Sequence, residues 1–182
     1  QVIEEHSSAD EVQRQYLLGR KLDQPLIMIT RRPDPTGNQP YLETAYQYHQ
    51  DAQGSITALT LTNGSPFVAN TIAERTQYSP YGTPTTSIPI NPYTSQPFPP
   101  TGNPYKYTGR RFDPETNLYY YRARMYNPTT GRFLQRDPPG PWYDPTNFGN
   151  PYTYVANNPR TWTDPSGLAT PDDWSEYERD TF

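Results

Sequence analysis

Four aspartates of this chain stand directly before a proline, and a carboxylate is a side chain that can carry acid–base chemistry. They are Asp113, Asp137, Asp144 and Asp164. When two carboxylates share a site they cannot both ionise easily, so one keeps a proton and acts as an acid while the other activates water. An Asp before Pro is also a turn opener, because its carboxylate accepts hydrogen bonds from the backbone ahead of it. The residues by themselves favour this structural role.

The segment 118–126 combines tyrosines with arginines, which could bind a sugar by stacking or a peptide through cation–π contacts. The same residue types form cross-strand pairs in a sheet, and the sequence favours that role. His6 and His49 are too far apart in the sequence to indicate a metal site. Because no Ser-His-Asp arrangement, phosphate-binding loop or zinc-ligand spacing is present, no cofactor is expected.

A turn pattern that occurs twice predicts how this region folds. Residues 112–119 and 126–133 share the order aromatic, Asp or Asn, Pro, any residue, Thr, Asn or Gly, any residue, aromatic. Pro fixes φ at the second position of the turn, and Asn117 and Gly131 can take positive φ where the chain reverses. The repeat indicates an elongated or wrapped β-sheet rather than a pocketed α/β enzyme.

Between these two turns the side chains are expected to alternate with a period of two. The alternation predicts one apolar face with Tyr119, Tyr121, Ala123 and Met125, and an opposite face with Leu118, Tyr120, Arg122, Arg124 and Tyr126.

Most of the remaining chain has strand and turn signals as well. Short apolar runs at 16–18 and 26–29 predict a hairpin, 41–48 and 56–61 predict further strands, and Asn63-Gly64 is a strong signal for chain reversal. The stretch 83–103 holds six prolines and is expected to be an extended surface loop or a crossover. Residues 1–13 could form a short helix or an entry strand, a short helix is expected in the acidic tail, and helix elsewhere should be scarce. The sequence therefore predicts an all-β fold with little helix.

The composition limits the class of protein. With 23 prolines, 11 glycines and 32% hydrophobic residues the chain approaches a disordered composition, but 17 tyrosines can supply a partly polar core, so we expect an ordered chain with Pro-rich loops. The absence of cysteine permits a reducing or an oxidising compartment. The net charge of −4 does not suggest nucleic acid as a partner, and no apolar run approaches the length of a membrane span.

A dense set of motifs over residues 105–168 resembles a known family. The motifs are Tyr107-Thr108-Gly109-Arg110-Arg111-Phe112-Asp113-Pro114, Tyr119-Tyr120-Tyr121-Arg122-Ala123-Arg124, Gly131-Arg132-Phe133-Leu134, Arg136-Asp137-Pro138, Asn157-Asn158-Pro159 and Asp164-Pro165-Ser166-Gly167-Leu168. They are similar to the Rhs repeat-associated core domain of bacterial Rhs and YD-repeat proteins, which is related to the C components of insecticidal toxin complexes and to teneurins. Upstream, residues 48–56 resemble a YD-type repeat turn.

This resemblance implies a spiralling β-sheet shell of YD-repeat hairpins. It divides the chain into terminal YD-type strands at 1–82, a Pro-rich loop at 83–104, the Rhs-associated core at 105–168 and an acidic tail at 169–182. The implied partners are an upstream YD-repeat shell of the same polypeptide and an encapsulated C-terminal segment, and the implied location is secreted or at the bacterial cell surface. The tail is too short for a toxin domain, so we expect either a member without a toxin or one whose cargo has been lost, truncated or left out.

The resemblance also implies an aspartyl autoprotease that cuts between Leu168 and Ala169. It gives Asp137 the role of one catalytic carboxylate, with Arg136 available to orient a carboxylate. Asp144 is the candidate second carboxylate, although residues 142–149 are spaced differently from the family pattern.

An alternative from the residues is a cell-surface adhesion or carbohydrate-binding module that uses exposed aromatic side chains. A hydrolase that acts on another molecule lacks a recognisable constellation of residues.

Overall fold

The computed structural model describes residues 2–8, 11–21, 23–34, 36–62, 70–91, 94–138 and 149–168. Within these ranges the fold is all-β, as predicted, and the helical residues that are described form two short 3-10 turns at Tyr107–Gly109 and Val155–Asn157. The strands are β1 (Val2–His6), β2 (Val12–Leu18), β3 (Pro25–Arg32), β4 (Leu42–Gln50), β5 (Ile56–Leu61), β6 (Ile72–Tyr78), β7 (Pro84–Ser87), β8 (Arg111–Asp113), β9 (Leu118–Tyr121), β10 (Arg124–Asn127) and β11 (Arg132–Phe133).

The chain forms two compact units. The first comprises residues 1–77 and 85–103, and the second comprises residues 78–84 and 104–182. The second unit therefore includes the turn between β6 and β7. The segment boundaries after residues 82, 104 and 168 remain predictions about the organisation of the whole protein.

The first unit contains a sheet in which β1 to β7 follow one another in chain order. One row of paired residues crosses four of its strands: Tyr16 pairs with Met28, Met28 with Tyr46, and Tyr46 with Leu61. All four side chains are buried. Because paired residues project from the same face of a sheet, this row forms the core of the first unit.

The Pro-rich stretch includes β7, and a few of its side chains are buried although many of its residues are exposed. Phe98, Thr101 and Asn103 are buried, and the Thr101 hydroxyl donates to the buried carboxylate of Glu74 on β6. The Tyr48 hydroxyl donates to the side-chain oxygen of Asn103 over 2.9 Å. Proline cannot supply ladder hydrogen bonds, so the polar side chains between the prolines attach this segment to the sheet.

The second unit contains a sheet with the order β11-β10-β9-β8. Both predicted turns are confirmed: Asn117 and Gly131 have φ of +59° and +67°, and their N–H groups donate to the carbonyls of Asp113 and Asn127. The side chains of Asp113 and Asn127 each accept a hydrogen bond from the backbone two residues ahead. The shared geometry explains why one turn pattern occurs twice.

Two other turn expectations had different outcomes. The expected continuous alternation over 118–126 is wrong, because β9 ends at Tyr121 and β10 begins at Arg124, which is its antiparallel partner. The reversal occurs at Arg122, whose φ is +59°. Asn63-Gly64 lies outside the described residues, and Leu61 exchanges hydrogen bonds with residues 70 and 71, so the connection from β5 to β6 is longer than a two-residue hairpin.

Aromatic side chains form the core of the second unit. The cluster comprises Tyr107, Tyr119, Tyr121, Tyr126, Phe133, Tyr154 and Val155. Three of its hydroxyls donate to backbone carbonyls of the β6–β7 turn: Tyr107 to Pro80 over 3.3 Å, Tyr119 to Gly82 over 2.8 Å, and Tyr126 to Tyr81 over 2.9 Å. Burial raises the pKa of Tyr119 and Tyr126 and raises the pKa of Tyr121 to about 12. These hydroxyls stay protonated and therefore act as donors.

Two neighbouring tyrosines of β9 test this core. Tyr119 is 0% exposed and Tyr120 is 52% exposed. We expect Tyr119→Ala to lower the free energy of unfolding by about 3–5 kcal/mol, because it removes a buried ring. The matched change Tyr120→Ala should alter it by roughly 0.5 kcal/mol, as is usual for a surface position. Urea unfolding of both variants measures the difference, and equal losses would contradict the assignment of faces.

Candidate functional site

A buried arginine contacts two buried aspartates in the second unit. Nη1 of Arg124 lies 3.1 Å from Oδ2 of Asp137, and Nη2 lies 3.3 Å from Oδ2 of Asp164. The residues are 2%, 6% and 1% exposed, respectively. The Arg124 guanidinium carbon also lies 3.6 Å from the centroid of the Phe133 ring. One guanidinium thus contacts two carboxylates that are 27 residues apart in the sequence, at positions 137 and 164.

Local structure explains the position of Arg124. On β10, Arg124 and Tyr126 share the buried face, since they are two residues apart on one strand. Asp137 follows β11, and its backbone N–H donates to the carbonyl of Pro151 over 3.1 Å. Nη1 of Arg124 donates to the same carbonyl over 3.3 Å. The return of the chain at residue 151 therefore brings Asp137 to the end of the Arg124 side chain.

The 164–168 turn is the second partner of Arg124. Oδ1 of Asp164 accepts the Gly167 N–H over 2.8 Å, which closes the turn. Nε of Arg124 donates to the Gly167 carbonyl. Nη2 of Arg110 donates to the carbonyl of Asp164 over 3.1 Å and also to that of Pro165. The guanidinium groups of Arg110 and Arg124 thus bind the carbonyls of Asp164, Pro165 and Gly167 in this turn.

Gly167 is required where the turn meets β9. Its φ is +72°, and a Cβ at this position would overlap the backbone carbonyl oxygen of Tyr121. A backbone atom cannot move aside as a flexible side chain can. The glycine therefore allows the turn to lie directly against the strand.

Electrostatics distinguish Asp164 from an ordinary surface carboxylate. Burial raises the pKa of Asp164, and the Arg124 guanidinium and the Gly167 N–H act in the opposite direction. Two carboxylates in low-dielectric surroundings need compensation by hydrogen bonds and positive charge. Arg124 supplies both, and Arg110 adds a second positive charge beside the Asp164 backbone.

The predicted site residues are distributed as follows. Asp137 is buried in this site, whereas the Arg136 side chain is exposed, and the guanidinium that contacts Asp137 belongs to Arg124. Leu168 ends the 164–168 turn. Asp144 and Ala169 lie outside the described residues.

Sequence reasoning missed Arg124 and Asp164 as members of the site. One signal for Arg124 was present, namely a charged residue within a run of tyrosines, but the undetected turn at Arg122 placed it on the wrong face. Asp113, by contrast, is a turn opener whose carboxylate accepts the Glu115 N–H over 3.0 Å.

The aromatic side chains proposed for sugar binding are mostly inaccessible. Tyr119, Tyr121 and Tyr126 are fully buried, so they cannot stack on a ligand. In this segment the exposed Tyr120 ring is the tyrosine that stays accessible to a ligand.

Comparisons with known proteins give structural similarities only. No protein-family model matches the chain, and no curated protein matches it. A chain from the Tc holotoxin pore of Photorhabdus luminescens with a TccC3 substitution has 19% identity and a TM-score of 0.49, over 92% of this chain and 10% of that chain.

Crystal structures of TcdB2-TccC3 and TcdB2-TccC3-Cdc42 give 19% identity and a TM-score of 0.42 each. Here the match covers 92% and 97% of this chain, respectively, and 10% of the other chain in both cases. This chain therefore spans a tenth of the length of the chains that it matches.

Within the described ranges, no helix is long and apolar enough to cross a membrane. The same ranges contain no group of three or more His, Cys, Asp or Glu side chains arranged to hold a metal ion.

Removal of the Arg124 guanidinium should be strongly destabilising. Arg124→Met leaves two buried carboxylates without their counter-charge, so we expect the free energy of unfolding to fall by about 3–5 kcal/mol. Arg132→Met is the control, since Arg132 is an exposed arginine on the neighbouring strand β11. Chemical unfolding compares the variants, and a loss in Arg124→Met no larger than in the control would contradict the central role of Arg124.

Substitution of two glycines that have similar φ distinguishes the cost of a steric clash from the cost of backbone strain. Gly37 has φ of +70° and no atom within 4 Å of the place that a Cβ would occupy, whereas Gly167 has φ of +72° and faces the Tyr121 carbonyl. Gly37→Ala should cost about 1 kcal/mol from strain alone. Gly167→Ala should cost at least about 2 kcal/mol more, in the range of overpacking. Similar losses in urea unfolding would show that the turn does not press on β9.

Proposed function

We propose that this chain is the C-terminal core segment of an Rhs/YD-repeat shell protein and that it cuts its own polypeptide between Leu168 and Ala169. The proposal combines the resemblance in the sequence with the positions of the matching residues. Those residues include Arg110, Tyr121, Arg124, Phe133 and Asp164, which are buried in the second unit. The residues that carry the resemblance thus build one core and one polar site.

The observation that carries the protease role is the position of Arg124. Its guanidinium contacts the Asp137 carboxylate and also the Gly167 carbonyl, one residue before Leu168. A candidate catalytic carboxylate and the segment that precedes the cut are therefore bound to the same side chain. This arrangement supplies the fixed orientation that a hydrolytic site requires.

In the proposed reaction Asp137 is the general base. It takes a proton from a water molecule whose oxygen adds to the Leu168 carbonyl carbon. A second carboxylic acid gives a proton to the Ala169 nitrogen as the C–N bond breaks. The products are a Leu168 carboxylate and a free amino group on Ala169, and the two carboxyl groups then exchange protons with solvent.

Two residues are candidates for the second carboxyl group. The resemblance assigns this role to Asp144. Asp164 is the candidate that the contacts support, because it binds the same guanidinium and burial favours its protonated form. In the proposed reaction Asp137 would then act as the base and its partner as the acid. Arg136, whose side chain is exposed, is the residue that the resemblance offers to orient a carboxylate.

The role of the first unit follows from the same proposal. Its seven strands in chain order are the arrangement expected of YD-repeat hairpins at the end of a larger sheet. The partner is an upstream shell of the same polypeptide, the cargo is a C-terminal segment, and the protein acts outside the bacterial cell or at its surface.

Substitution of Asp137 tests the protease role. In the full polypeptide that contains this chain, Asp137→Asn should reduce cleavage after Leu168 by about 10²–10⁴-fold, because an amide cannot accept the proton from water. Asp113→Asn is the matched control, since Asp113 also precedes a proline but lies in an exposed turn. Intact-mass measurement detects the cut, and urea unfolding checks the fold.

The results distinguish the possible roles of each aspartate. Cleavage at the normal rate in Asp137→Asn would make Asp137 a turn residue only. A polypeptide that is never cleaved in its unsubstituted form would remove the protease role. Asp144→Asn and Asp164→Asn, compared in the same way, identify the second carboxyl group, because only loss of that group should stop the reaction without unfolding the protein.

A further inference from the structure

The Ser166 hydroxyl contacts the carbonyl of Leu168, the group that reacts in the proposed cleavage. Oγ of Ser166 lies 3.0 Å from the Leu168 carbonyl oxygen and 3.0 Å from the Leu168 nitrogen. It also lies 3.3 Å from Oδ1 of Asp164. All three contacts lie within the 164–168 turn that Arg124 and Arg110 hold in place.

We propose that Ser166 is a catalytic residue of the self-cleavage, in which its hydroxyl donates a hydrogen bond to the Leu168 carbonyl oxygen. This inference rests on the proposed function. When water adds to the carbonyl carbon, negative charge develops on this oxygen. A donor that is already in place stabilises that charge more in the transition state than in the ground state, and therefore accelerates the reaction.

The hydrogen-bond partners are compatible with this role. A hydroxyl has one hydrogen to donate and two lone pairs to accept with. The Leu168 N–H donates to Oγ, which leaves the hydroxyl hydrogen for the Leu168 or Asp164 oxygen. Asp164 already accepts from the Gly167 N–H and from Arg124. The Asp164 carboxylate thus has two other donors, and the Ser166 hydroxyl lies closer to the Leu168 carbonyl oxygen, at 3.0 Å, than to Oδ1 of Asp164, at 3.3 Å.

The bond changes in this step are those of the proposed hydrolysis, with Ser166 forming no covalent bond. The water oxygen bonds to the Leu168 carbon, Asp137 takes the water proton, and the electron pair of the C=O bond moves to the oxygen that Ser166 contacts. As the tetrahedral centre collapses, the C–N bond to Ala169 breaks and the nitrogen gains a proton from the second carboxyl group.

A purely structural role for the same hydroxyl predicts different results. Serine hydroxyls commonly bond the backbone in turns, and Ser79 does so by accepting the Thr83 N–H over 3.0 Å. In that case loss of the hydroxyl changes the stability of the turn, and the cleavage rate changes only in proportion to the unfolded fraction. In the catalytic case the rate falls in protein that is still folded.

The test follows cleavage during a time course of cell-free synthesis of the full polypeptide, with urea unfolding of each variant. Ser166→Ala should slow cleavage by about 10²–10³-fold, the usual effect of losing one oxyanion donor. Ser166→Thr keeps the hydroxyl and should stay within about tenfold of the unsubstituted rate. Ser166→Cys keeps the size but is a weak donor, so it should be slow. Ser79→Ala is the control and should cleave normally.

Each outcome decides one of the two proposals. Normal cleavage in Ser166→Ala or in Ser166→Cys would overturn the role of Ser166 and leave the protease role intact. An acyl-enzyme at Ser166 that is trapped by hydroxylamine would make Ser166 a nucleophile instead of a donor. If Ser166→Ala unfolds, the cleavage rate of Ser166→Cys decides whether the Ser166 hydroxyl has the proposed role. Absence of cleavage in the unsubstituted polypeptide would overturn both proposals.

Discussion

The buried charge of Arg124 is the constraint on which the second unit depends. Taking a guanidinium out of water is costly unless its N–H groups find acceptors and a negative charge lies nearby. The acceptors here are the carboxylates of Asp137 and Asp164 and the carbonyls of Pro151 and Gly167. They come from three separate parts of the chain, so one side chain on β10 fixes the segment after β11, the return at 151 and the 164–168 turn.

Tyrosine hydroxyls solve a related problem in the aromatic cluster. The chain has only 32% hydrophobic residues, and its 17 tyrosines are therefore an important source of buried surface. A buried tyrosine needs a partner for its hydroxyl, and in this unit backbone carbonyls of residues 80–82 supply such partners. The hydroxyls of Tyr121 and Tyr154 lie 3.1 Å apart, so one can donate to the other, and the Tyr121 hydroxyl also lies 2.8 Å from that of Thr108. Buried, hydrogen-bonded tyrosines therefore allow the chain to fold although its mean hydropathy is −1.00.

The sequence predicted those features that depend on nearby residues. The turns at Asn117 and Gly131 could be read because Asp or Asn, Pro and a residue that tolerates positive φ occur together within a few positions. The turn at Arg122 has none of these signals, and its omission reversed the assigned faces of every residue from 124 onward on that strand. A period of two gives the correct face only when both ends of the strand are known.

Features that depend on distant parts of the chain could not be predicted from neighbouring residues. The contact of Asp137 with Arg124 could not be predicted, because it depends on the return of the chain at residue 151. Likewise, the burial of Thr101 and Asn103 depends on Glu74, which lies on β6. The resemblance to the Rhs-associated core selected Asp137, but it did not identify the guanidinium that holds it. Pairing between distant polar groups is a property of the folded chain, and local propensity does not encode it.

The position of the proposed cut relative to these contacts has a structural consequence. Arg124 binds Asp164 and Gly167, and Arg110 binds Asp164 and Pro165, so the contacts of the turn with both arginines are made before Leu168. Hydrolysis of the bond from Leu168 to Ala169 breaks none of them. The contacts that hold the core and the polar site of the second unit therefore do not depend on that bond.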